Sequence, residues 1–231
     1  MLRVFASAMF FSFMIFTSAV FAQSDVHTFP KSEVARSGSA AKDFVPKGWM
    51  VEAMVKGDLN GDGKVDLAIK LIEQKSQGAD PSVNEDRQRA LVVALADKDG
   101  GYSRAAVSDG LLQCTGCGGA FYGVMPAPAN VSIAKGVLIV DQDHGSRDVE
   151  KSTYKIRFDA ATGRFILIGL DITDRDRLTG DVTSISTNYL TGVRITTIYP
   201  GKGRKSTKRT TVSREKQYLE DLDQGVLESI E

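Results

Sequence analysis

Asp58, Asn60, Asp62 and Asp66 stand at positions one, three, five and nine of one short stretch, Lys56 to Leu71, KGDLNGDGKVDLAIKL. Lys64, at position seven, adds a backbone carbonyl to the set. Alternate oxygens in a tight turn are how a hard cation is gathered, because calcium takes six to eight oxygens from carboxylates, amides, carbonyls and water. Gly61 and Gly63 suit such a turn, since glycine accepts positive φ without steric cost. Magnesium fits less well, as it demands a near-ideal octahedron and keeps several waters. The competing reading is a polar turn of residues that tolerate the left-handed region. Three carboxylates in nine residues weigh against it, because like charges repel unless something offsets them.

An EF-hand loop would place a bidentate Glu at position twelve, where this chain has Ile69. The exit is also wrong for an EF-hand. Val65, Leu67, Ile69 and Leu71 alternate with Asp66, Ala68 and Lys70, a period of two that predicts a strand. With Met50 to Val55 read as the entering strand, the loop joins two strands, and a cation there would fix how they meet. The stretch resembles the calcium loops of FG-GAP and VCBS-type repeats, in which such a loop runs into a strand. A wider resemblance runs through VPKGW, GDLNGDGKVDLA, LLQCTGCGG, KGVLIV, YKIRFDAATGRFILIGLD and NYLTG. It is to a group of uncharacterised secreted bacterial proteins with an FG-GAP or VCBS-like calcium loop. That resemblance implies export and a shared fold and hands over no activity. DQDHGSR, Asp141 to Arg147, departs from it.

The elements that must position the loop begin after an export signal. Arg3 precedes an uncharged run from Val4 to Phe21, and Val20-Phe21-Ala22 suits a signal peptidase, so residues 1–22 are expected to be a signal peptide. An uncleaved anchor is the alternative reading. No later run is apolar enough to span a bilayer, so no stable membrane insertion is expected after cleavage, and the expected location is the periplasm or the exterior. Residues 23–43 are small and polar and are expected to be a flexible leader. Residues 44–231 are read as a single β-rich domain.

Cys114 and Cys117 are the only cysteines. Two in an exported chain predict a disulfide. Gly118 and Gly119 open no helix after them, which argues against thioredoxin-like chemistry, and a zinc site would need four cysteines or two with nearby histidines, whereas this chain has two histidines in total. The chain carries 29 basic and 29 acidic residues. Such balance offers nucleic acid no long-range attraction. The basic stretch KGRKSTKR, Lys202 to Arg209, has no aromatic interleaving and is read as a solvated loop.

Turn signals recur between short β-branched runs from Ala90 to Val212, which predicts nine or ten strands in antiparallel hairpins. The fold class expected is all-β, or β-rich α+β, forming a sandwich or strongly bent sheet. A complete propeller needs several blades of about forty residues each and a repeated motif, and no second DxxGDG occurs. Phe44 and Trp49 are expected to close one end of the core, and Tyr218, Leu219, Leu222, Val226 and Leu227 predict a short C-terminal helix or a frayed tail.

No nucleophile elbow, P-loop, dinucleotide fingerprint or HExxH occurs. Asp143, His144 and Ser146 are close in sequence, but neighbours on a strand point to opposite faces. Asp171, Asp174, Asp176 and Asp181 are interleaved with arginines and read as a solvated, ion-paired turn. The leading expectation is an exported, noncatalytic, calcium-stabilised β-domain that binds a protein or glycan at the cell envelope. The alternative is a calcium-assisted hydrolase of an envelope polymer or phosphoester. A concave pocket where His144 meets a carboxylate, or where two acids face each other, would favour the second.

Overall fold

The computed structural model describes residues 28–75, 86–223 and 225–227. The expected signal segment, His27 and much of the excursion after Glu73 lie outside the described residues. The remainder forms two antiparallel sheets, one curled into a half-barrel, and no closed propeller.

The five-stranded sheet runs β1-β5-β4-β3-β2. Its strands are β1 (Ser37–Gly38), β2 (Trp49–Gly57), β3 (Asp66–Glu73), β4 (Arg89–Ala96) and β5 (Tyr102–Ser108). The seven-stranded sheet follows chain order from β6 to β12. It comprises β6 (Ala129–Ala134), β7 (Val137–Gly145), β8 (Asp148–Asp159), β9 (Arg164–Asp176), β10 (Val182–Asn188), β11 (Val193–Tyr199) and β12 (Ser206–Thr211). Every pairing is between sequence neighbours except that of β1 with β5. Short turns therefore build the fold, as the hairpin rhythm predicts.

One face of β3 and β4 meets the seven-stranded sheet, where Ala68, Leu91 and Val93 pack in a core with Leu138, Tyr154, Ile156, Phe165 and Leu170. The opposite face carries Leu67, Ile69, Leu71, Ala90 and Val92, which pack with Phe29, Val34, Phe44 and Trp49. Within the expected leader, the described residues 28–43 form a lid: Phe29 and Val34 bury a second face, and Ser37 and Ser103 are partners in the β1–β5 pairing. This is why β3 is buried along both sides rather than in alternation. Phe44 and Trp49 close this second core as expected, and Phe29 meets Trp49 edge to face at 4.6 Å.

The larger sheet keeps one wet face. On β8, Ser152, Tyr154 and Ile156 are buried while Lys151 and Arg157 are exposed. A register shift between Lys155 and Ile156 opposite β9 adds a residue to one strand, and such a bulge bends the pair. Part of KGRKSTKR is strand, because Ser206 to Arg209 pair with β11 as an edge. The C-terminal segment holds a one-turn 3-10 helix, Leu219–Asp221, and a helical turn at 225–227, with Leu219, Leu222 and Leu227 buried in the inter-sheet core.

Candidate functional site

The loop between β2 and β3 winds around its own oxygens. Asp58 Oδ1 accepts from the Gly61 N–H at 2.7 Å and its Oδ2 from Gly63 at 2.9 Å. Asn60 Oδ1 accepts from Asp62 N–H at 3.0 Å, and Asp62 Oδ1 from Lys64 N–H at 2.9 Å. Gly61 and Gly63 both sit at φ 81°, which makes this winding accessible. The N–H of Gly63, then those of Gly61, Asp62 and Asn60, hold the Asp58 carboxyl below the ordinary carboxylate range against a smaller opposing effect of burial.

Asp66 is fully buried and points inward. Its Oδ2 accepts from Leu59 N–H at 2.7 Å and its Oδ1 from Ala96 N–H at 2.8 Å. One carboxylate therefore joins the loop to the end of β4. Leu59, 2% exposed, reaches into the inter-sheet core, and Gly136 in the β6–β7 turn comes so close that an added Cβ would lie 3.6 Å from the Asp58 carbonyl. The loop therefore sits where both sheets meet.

The donor set suits a hard cation: carboxylates of Asp58, Asp62 and Asp66, the Asn60 amide oxygen and the Lys64 carbonyl. Each Asp58 and Asp66 oxygen spends one lone pair on an N–H and retains another. Among the described residues no three His, Cys, Asp or Glu side chains are already drawn together as a metal cage. The Lys64 ammonium stands 3.8 Å from Asp62.

Cys114 and Cys117 form a disulfide, with Cα atoms 5.1 Å apart. It shapes an irregular loop between β5 and β6 whose flanking Leu111 and Leu112 are buried. The loop is pinned to the end of β7, where Gly145 donates to the Gly118 carbonyl at 3.0 Å and the Gly145 carbonyl accepts from Phe121 at 2.9 Å. Gly119, at φ 68°, permits the approach: a Cβ there would lie 2.5 Å from the Gly145 oxygen.

A charged cluster beneath this loop escaped sequence reasoning. Arg89, 3% exposed, forks onto Glu52 with Nε and Nη2 each at 2.8 Å, while Nη1 donates to the carbonyls of Gln113 and Ala127. Lys70 Nζ reaches the Ala129 carbonyl at 2.6 Å and Glu52 at 3.3 Å. Burial pushes the Glu52 carboxyl up, and the Arg89 hydrogen bonds and charge outweigh it, so that it lies below its usual range. Burial lowers the Lys70 ammonium more than Glu52 raises it. The cluster ties β2, β3 and β4 to the disulfide loop. The only signals in the sequence are a lysine inside AIKL and an arginine opening ALVVALA.

Asp143 and His144 point to opposite faces of β7, as strand geometry demands. His144 lines an inner cleft of about 330 Å³ with Gln113, Gln142, Glu150, Ser152 and Tyr154. Its roof is the disulfide loop and its far wall includes Leu227. Gln142 is locked by Gln113 N–H at 2.7 Å and by the Leu111 carbonyl at 2.9 Å, and Ser152 donates to Glu150 at 2.8 Å. His144 faces Glu150 across the strands, and Glu150 faces Asp174. Burial, then the Glu150 charge, push the Asp174 carboxyl up, His144 opposing.

The other acids do not gather with Asp174. Asp171 lies on the outer face, pairing with Lys155 and accepting from Ser186 at 2.6 Å. Asp176 caps its turn by accepting from Leu178 and Thr179 N–H groups, and Asp181 accepts from Gly201 N–H. Ser146 is exposed beyond the strand end. Comparison with protein-family models, with curated proteins and with solved structures finds no match.

Proposed function

We propose that this chain is an exported, noncatalytic β-domain whose 58–66 loop is stabilised by calcium and whose inner cleft binds a glycan or protein segment of the cell envelope. The observation that carries the reading is the position of the loop. Leu59 enters the inter-sheet core and Asp66 clamps β4, so a cation on this loop would brace one junction between the two sheets. Asp58, Asn60, Asp62, Asp66 and the Lys64 carbonyl would hold it. Its contribution is charge neutralisation among crowded carboxylates.

The cleft supports binding because fixed hydrogen-bonding groups line it beside Tyr154 and Leu227, the mix that orients a polar ligand. Co-sedimentation with isolated envelope polymer tests this. The intact protein is expected to pellet with the polymer, and His144→Ala and Glu150→Gln, at two polar residues of the cleft, to reduce the pelleted fraction several-fold while leaving the melting curve close to the parent's. Equal sedimentation of parent and variants would end the reading.

A second reading, a hydrolase, is favoured by one feature: Glu150 and Asp174 face each other, with the Asp174 carboxyl raised, beside His144. It requires that the protein release reducing ends or phosphate from the polymer, and that Glu150→Gln or Asp174→Asn abolish the release.

A further inference from the structure

We infer that the outer face of the larger sheet carries a second binding site, for an acidic saccharide whose carboxylate meets Lys151, Arg175 and Arg177 and whose ring lies against Phe121. A cavity of about 330 Å³ opens there, lined by these four residues with Asp143 and Thr173. It lies across the sheet from the inner cleft and uses neither that cleft nor calcium.

The register places the groups. Lys151 pairs with Asp143 on one side and Thr173 on the other, and Val149 pairs with Arg175, so two cations come from adjacent rows of one strand pair. Arg177 extends past the end of β9, where its Nη1 donates to the Ser146 carbonyl at 3.1 Å and its guanidinium stands 5.1 Å from the Phe121 ring. That anchors one arginine and leaves donors on its fork. Lys151 and Arg175 form no ion pair among the described residues, and both are exposed. Three cations beside the single carboxylate of Asp143 leave a net positive charge that attracts an anion, and a guanidinium fork matches a carboxylate in geometry.

The rest of the cavity selects among anions. Phe121 is 42% exposed, and it is held against Tyr122 edge to face at 5.1 Å. Its ring offers a platform for the C–H face of a sugar. Asp143 sits beside the cations, anchored by the Tyr122 hydroxyl, whose own ionisation burial and this hydrogen bond push up to about 12. A fixed carboxylate there repels a dense polyanion yet accepts hydrogen bonds from sugar hydroxyls, as Thr173 can. One negative charge, several hydroxyls and an apolar ring face describe a uronic acid better than a polyphosphate or an acidic peptide.

Calorimetry on the full protein with a galacturonate trimer is the test. A neutral galactose trimer, inorganic phosphate and hexaglutamate are the other arms. The trimer uronate is expected to bind, with affinity falling as salt rises. Arg175→Gln and Lys151→Gln should each weaken it about tenfold, and Phe121→Ala several-fold, because all three side chains are exposed and their loss leaves folding intact. The neutral trimer should bind at least tenfold more weakly. Binding of hexaglutamate or phosphate as tight as that of the uronate would overturn the proposal, as would uronate binding unchanged in Arg175→Gln or absent in the parent. His144→Ala, which disturbs only the inner cleft, should leave uronate affinity unaltered, so failure of one site is separable from failure of the other.

Discussion

Replacing Asp66 by alanine removes an acceptor that two backbone N–H groups share, those of Leu59 at 2.7 Å and Ala96 at 2.8 Å. Hydrogen bonds to a charged group are each worth about 1.5–3 kcal/mol, and a buried N–H left without a partner costs a similar amount. The Leu59 group lies inside the fold and bears the full cost; Ala96 is only half-buried, and water recovers part of its loss. The expected destabilisation is therefore about 3 kcal/mol, a fall in Tm of roughly 6–12 °C for a domain of this size. Chemical and thermal unfolding should be run in excess chelator, so that any cation contributes nothing. Asp62→Ala is the control: that exposed side chain accepts the Lys64 N–H and stands 3.8 Å from the Lys64 ammonium, and its loss should cost under about 1 kcal/mol. If the two variants are equally stable in chelator, Asp66 is not the clamp described here.

Glu52→Gln should destabilise by about 2 kcal/mol, below the loss expected for a fully buried pair because the Glu52 side chain is 25% exposed. Hydrogen exchange should show faster opening at Gln113 and Ala127, whose carbonyls Arg89 holds, and protection equal to the parent's would refute the tie. Asp174→Asn should raise Tm near neutral pH by about 1–2 °C. The sign follows from the raised folded-state ionisation: the charged carboxylate costs the native state, and protonation relieves that cost as pH falls through the raised value toward the ordinary 3.8. The variant's advantage should shrink over that acidic window, and a variant less stable than the parent at neutral pH would contradict the facing acids. Asp58 has the opposite sign, since its folded-state ionisation is lowered; its contribution is present above the ordinary carboxylate range and is lost as pH drops below it.

The hairpin order was legible because each turn carries its own chemistry, such as Lys135-Gly136 and Asp99-Gly100-Gly101, and because β8 and its neighbours alternate between a wet and a dry face. The lid was not. Phe29 and Val34 are isolated apolar residues in a polar segment, and only the unmatched second face of β3 and β4 explains their burial. For the same reason the alternation read from Val65 to Leu71 hid two facts: Val65 is 52% exposed, and Asp66, Ala68 and Lys70 are as inward as their apolar neighbours. The loop oxygens were legible by spacing, but the turning of Asp66 to Ala96 depends on a strand thirty residues away. Glu52, Lys70 and Arg89 come from three strands, and Lys151, Arg175 and Phe121 from three separate segments, so neither group leaves a motif.

Calcium calorimetry on the protein, with Asp58→Ala alongside, tests the central claim most directly. The account predicts saturable heat at one site per chain in the parent, a rise in Tm with added calcium that chelator reverses, and loss of both in the variant. No heat and no shift in the parent, or identical responses in parent and variant, would contradict it.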